Sequence, residues 1–165
     1  MLWLRVVHIV AGVFWVGSTL FLAAFLVPAA RAAGPEGGRF LERVMRQRRT
    51  GVALGVAMLL TVGSGFVMYG RLASGLGKAW ATSHVGLALG AGALAAILAV
   101  VVGVAVNGPT GATLAALRQR VESGGAPPAD ATRIAQLARR IELGTRSAAL
   151  LLAFAAAAMA AARYL

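Results

Sequence analysis

Four long apolar stretches alternate along this chain with short arginine-rich segments. A helix needs about 20 mainly apolar residues to cross the hydrocarbon layer of a bilayer, which is about 30 Å thick. Stretches at about 3–28, 50–70, 80–106 and 145–164 meet that measure. The first is expected to end at Pro28, and the second fills the charge-free interval between Arg49 and Arg71. The third starts near Trp80 and breaks at Asn107-Gly108-Pro109. The fourth is the weakest, because only residues 147–162 are free of charge, so Arg146 and Arg163 are expected to snorkel at its two ends. The pattern predicts an all-α chain, a polytopic transmembrane four-helix bundle forming a single domain over residues 1–165.

The segments between the spans carry helical patterns of their own. Phe40, Leu41, Val44 and Met45 make an apolar stripe among arginines, and Ile134, Leu137, Ala138 and Ile141 do the same before the fourth span, so the helices are expected to extend into the cytoplasm. Ala112 to Val121 reads as a short surface helix, Gly124-Gly125-Ala126-Pro127-Pro128 as a linker, and Asp130 as a cap for the last helix. Gly51 with Gly55, and Gly86 with Gly90, are spaced for close helix packing within the chain. The first 30 residues read as a span rather than a secretory signal, since the uncharged run from Val6 to Ala30 exceeds a signal-peptide core.

Composition sharpens this picture. At 59% hydrophobic and 13% charged over 165 residues, the chain is too apolar for a soluble domain. A net charge of +11 would suit a nucleic-acid binder on a soluble fold, but here the charge lies between spans and reads as topology, so nucleic acid is excluded as a partner. Six arginines (Arg31, Arg39, Arg43, Arg46, Arg48 and Arg49) follow the first span, and six more (Arg118, Arg120, Arg133, Arg139, Arg140 and Arg146) precede the fourth. By the positive-inside rule that side is cytoplasmic, which puts both termini outside in a bacterial inner membrane. Trp3, Tyr69, Trp80 and Tyr164 fall at the outer boundary as interfacial anchors. Absence of cysteine leaves His, Met and carboxylates as metal ligands, and all five carboxylates fall outside the spans.

Two histidines are the only ones in the chain, and ionisable side chains within spans point to function. Counted from Trp3 and Trp80, His8 and His84 lie at matching depths of roughly 7.5 and 6 Å, so their imidazoles are expected to meet near the outer face. His8, Gly12, Trp15 and Thr19 share one helical face, with Gly12 leaving room for a flat ligand. Thr61, Ser64, Gly65 and Met68 form a small and polar stripe on the second span, and Met159 reaches a similar depth on the fourth. Arg5, Arg71 and Lys78 supply a cationic rim suited to propionates. Haem b held by His8 and His84, in an electron-transfer or haem-dependent redox role, explains most of these features. Copper held by His8, His84 and Met68 is the alternative, and a structural or assembly subunit without a cofactor is the third reading. The expected partners are the lipid bilayer and a redox partner or second copy.

The run Leu4-Arg5-Val6-Val7-His8-Ile9-Val10-Ala11-Gly12-Val13-Phe14-Trp15-Val16-Gly17, with Phe21 and Pro28, resembles the opening helix of the CopD-like and HemJ-like membrane proteins. Thr61-Val62-Gly63-Ser64-Gly65 and Ser83-His84-Val85-Gly86-Leu87 are similar to the second and third helices of that group. The resemblance implies a four-helix membrane fold with the two histidines as haem or metal ligands. Its HemJ branch, a haem-linked protoporphyrinogen oxidase, implies a lysine two residues after the third-helix histidine. Gly86 stands there, which disfavours that oxidase activity.

Overall fold

The structure is a computed structural model that describes residues 1–46, 49–123 and 129–165, so Arg48 and the expected linker at 124–128 lie outside the described residues. All regular structure among the described residues is helical. Four helices are long and apolar enough to cross a membrane: α1 (Leu2–Ala32), α3 (Thr50–Ala81), α4 (His84–Glu122) and α5 (Asp130–Tyr164). A shorter helix, α2 (Gly34–Arg46), joins the first two. The spanning helices are 31 to 39 residues long, or about 46–58 Å, so each outruns the hydrocarbon layer and projects beyond it. The expected surface helix at Ala112 to Val121 is the last part of α4, and Asp130 lies in the first turn of α5.

Two expected breaks are absent, for one shared reason. The chain passes Pro28 and Pro109 without leaving the helix, and each proline follows a wide π-helical turn, at Leu22–Leu26 and Val102–Asn107 respectively. A proline in a regular helix clashes with the carbonyl four residues back. Here those carbonyls belong to Ala24 and Ala105, inside the wide turns, where the backbone has already shifted register.

The start of the third span also differs from expectation. Trp80 belongs to the end of α3, which continues past Arg71 to Ala81 through an offset at Gly77, where φ is +75°. Such a backbone favours glycine. The third spanning helix starts at His84, with Ser83 as its cap: the Ser83 Oγ accepts from the Gly86 N–H at 3.2 Å. Gly86 sits against the Trp80 carbonyl with no space for a Cβ, so its role is in this turn.

The bundle is an antiparallel ring in which α1 and α4 each pack on both α3 and α5 and stand diagonally to one another. Its centre is built from Ala11, Trp15, Ala57, Ala95, Ala96, Ala99, Ala148, Leu152 and Ala155. Water cannot drive helices together inside a bilayer, so small residues that allow close backbone approach supply the attraction through dispersion. Large apolar side chains such as Val13, Leu59, Leu98 and Leu150 face outward, as lipid contact requires. Gly51 lies against the Met45 carbonyl of α2, where an added Cβ would stand 3.6 Å away, and an added Cβ at Gly55 would have nothing within 4 Å.

The two ends of the bundle differ in chemistry. One end holds both termini, with the Met1 Sδ 3.8 Å from an Arg71 nitrogen and the last turn of α5 against α4. The other end gathers the arginines. There Glu142, buried on α5, receives Arg31 from α1 at 2.7 Å and Arg146 from its own helix at 2.8 Å, and Arg118 donates to the Gly38 carbonyl at 3.0 Å.

Candidate functional site

The helix periodicity that buries Ala11 and Trp15 also turns His8 toward α3, because the three positions lie three to four residues apart on one face of α1. The half-buried His8 Nδ1 lies 2.8 Å from the Thr61 backbone carbonyl and 3.2 Å from the Ser64 Oγ. A carbonyl can only accept, so Nδ1 carries a proton and donates it. In the neutral ring Nε2 is then left with its lone pair free. Ser64 spends its own hydroxyl proton on the Leu60 carbonyl, so its oxygen accepts from His8. Thr61 likewise donates to the Ala57 carbonyl at 2.7 Å. These bonds fix both the tautomer and the tilt of the imidazole, the arrangement that metal-binding histidines use to present one nitrogen.

His8 opens onto a cavity of about 270 Å³, at the small end for a ligand site. Thr61, Gly65 and Tyr69 line it from α3, Gly90 and its neighbours from α4, and Met159 from α5. Gly65 is the seat of the histidine ring: an added Cβ would stand 3.0 Å from the His8 Cε1. Tyr69 leans on Trp80 at 5.4 Å between ring centroids and brings its hydroxyl oxygen within 3.6 Å of where a Gly90 Cβ would be. Phe66 and Leu94 also line the cavity while being mostly exposed, so its mouth lies between α3 and α4 on the lipid-facing side.

The expected site residues divide into two groups. His8, Thr61 and Gly65 come together at the cavity, joined by Met159. Gly12 and Trp15 lie deeper: Gly12 faces the Thr61 methyl across the α1–α3 contact, and Trp15 is buried in the core. His84 is the exposed first residue of α4 and does not line the cavity. It sits about 120° round the helix from Gly90, and a depth counted from Trp80 does not apply to it because Trp80 lies on another helix. Met68 is half-buried outside the cavity lining, and Arg5, Arg71 and Lys78 are all exposed. Among the described residues no three of His, Cys, Asp and Glu gather as a metal site.

Tyr69 is a cavity residue whose sequence context suggested only an interfacial anchor. Its signal was present in the four-residue step Thr61, Gly65, Tyr69, a face turned slightly away from the one that carries Ser64 and Met68. No protein family, curated protein or solved structure matches this chain.

Proposed function

We propose that this integral membrane protein binds haem b at the His8 cavity and serves in electron transfer or a haem-dependent redox step. The observation that carries the reading is the fixed His8 imidazole, which holds Nδ1 on the Thr61 carbonyl and leaves Nε2 for a ligand. The number of donors favours haem over a bare ion. The cavity offers one imidazole and one thioether, too few to hold copper firmly, whereas haem brings four nitrogen donors and asks the protein only for axial ones. Small and apolar walls at Gly65 and Gly90 suit a flat macrocycle. The enclosed volume is smaller than a whole porphyrin, so the reading requires Phe66 and Leu94 at the lipid-facing mouth to turn outward.

Met159 shares the cavity and His84 does not, so in this reading the Met159 thioether would help the His8 imidazole to hold the group. Haem would supply one-electron redox chemistry when bound. The chain would orient it through the Thr61–His8 bond, exclude water with alanine and glycine walls, and meet propionates with Arg5, Arg71 or Lys78. In this reading the terminus-bearing end faces outward and the arginine-rich end faces the cytoplasm. The resemblance of short motifs in the first three helices to the CopD-like and HemJ-like group implies haem or metal ligation at both His8 and His84, of which this reading keeps His8.

An absorption spectrum and metal analysis of the purified protein test the reading. A Soret band lost in His8→Ala supports it. Stoichiometric copper without a Soret band would favour the copper alternative, and absence of any cofactor after expression with ample haem would favour a structural subunit.

A further inference from the structure

A second site stands at the opposite end of the bundle, independent of any cofactor. A groove of about 450 Å³ runs between the π-helical turn of α4 and the face of α5 that carries Gln136, Arg139, Arg140 and Leu143. The α5 residues repeat at three- and four-residue steps, so one helical face presents two guanidinium groups at one end and apolar surface at the other. Val102 and Val106, one turn apart on α4, form the opposing apolar wall.

Among the described residues neither Arg139 nor Arg140 enters an ion pair, and the nearest carboxylate on their helix, Glu142, is already held by Arg31 and Arg146. Arg139 lies about 12 Å along the helix before the charge-free stretch that begins at Ser147, outside the hydrocarbon layer on the arginine-rich side. A polar head with positive charge, continuous with an apolar channel, matches one class of molecule in shape and in charge.

We propose that this groove is a binding site for an anionic phospholipid, its phosphate on Arg139 and Arg140 and an acyl chain along Val102, Val106 and Leu143. A free phosphate would satisfy the arginines but leave the apolar wall without a partner. A zwitterionic lipid would fill the wall but bring its own cation to the guanidinium groups.

Native mass spectrometry of the full-length protein titrated with phosphatidylglycerol or phosphatidylcholine tests the site. The expected result is binding of phosphatidylglycerol at least about tenfold tighter than phosphatidylcholine, and a loss of roughly twentyfold in R139Q/R140Q. The charge-matched control R120Q/R133Q, also exposed but outside the groove, should stay within about twofold of the parent. Leu143→Glu, which sets a carboxylate in the groove, should lose the anionic lipid as well. Equal losses in the two double variants would reduce the effect to diffuse attraction and overturn the proposal. So would equal binding of the two lipids, or displacement of phosphatidylglycerol by millimolar inorganic phosphate.

Discussion

His8 on α1 and Thr61 on α3 are joined by a 2.8 Å hydrogen bond from the imidazole Nδ1 to a main-chain carbonyl. A side-chain acceptor could be removed by substitution, but this one cannot, so the orientation of His8 depends on the helix itself and on the residues that seat the ring. Gly65→Ala is therefore expected to displace the imidazole, whose Cε1 would be 3.0 Å from the new methyl. If the cavity holds haem as proposed, haem retention should fall about tenfold, at an overpacking cost of about 1–3 kcal/mol. Gly63→Ala, with nothing within 4 Å of the new methyl, is the matched control: it should leave the spectrum unchanged and, as a mid-helix glycine replaced by alanine, raise stability by up to about 1 kcal/mol.

The assignments separate by spectrum. If haem binds at the cavity as proposed, His8→Ala should abolish its absorption, Met159→Leu should alter the spectrum without abolishing it, and His84→Ala should leave the spectrum intact. Loss of haem in His84→Ala with an unaltered spectrum in Met159→Leu would give the histidine the role assigned to Met159.

Much of the bundle was legible in the sequence, and the exceptions have physical causes. Uncharged runs locate spans because burying an arginine in hydrocarbon is costly, and all four emerge as helices. Pro28 and Pro109 misled because a π-helical turn has no residue signature, so the accommodation that precedes each proline is visible only in the backbone. His8 stands out in the sequence by its rarity inside a span, and the structure places it on the wall of a cavity. His84 was paired with it by depth alone. Depth says nothing about direction around a helix, and the Gly77 offset that keeps Trp80 on α3 cannot be read from composition.

Gly144 and Asn107 interlock where α5 meets the π-helical turn of α4. A Cβ at residue 144 would collide with the Asn107 Oδ1, a buried oxygen with no hydrogen-bond partner among the described residues. Gly144→Ala should destabilise the protein by about 1–3 kcal/mol in a detergent unfolding assay. Adding Asn107→Ala should recover most of that loss by removing the obstructing atom, a coupling that a double-mutant cycle would read directly.

The Glu142 carboxylate should matter more than either arginine it holds. Its side chain is 8% exposed while those of Arg31 and Arg146 are 69% and 53% exposed, so solvent screens the arginines far more. Removal of the glutamate frees two charges, and removal of one arginine leaves the other in place. Glu142→Ala is expected to cost about 1–2 kcal/mol in thermal unfolding, and Arg31→Ala under about 1 kcal/mol.

Leu152, 1% exposed, is the deepest side chain in a core made otherwise mostly of alanine. Leu152→Ala should cost about 2–5 kcal/mol, as lost dispersion contacts leave a void that the surrounding backbones are too close-packed to fill.

That alanine core carries an entropic consequence as well. An alanine has no rotamers to lose when helices close around it, whereas longer side chains surrender up to about 2 kcal/mol each in conformational freedom. The centre of the bundle can therefore assemble tightly from residues that are already as ordered in the separate helices as they are in the folded state. At the cavity, where hydrogen bonds already hold His8, the freedom that remains to be frozen belongs to Tyr69, Phe66 and Met159, and a ligand settling there would order these side chains.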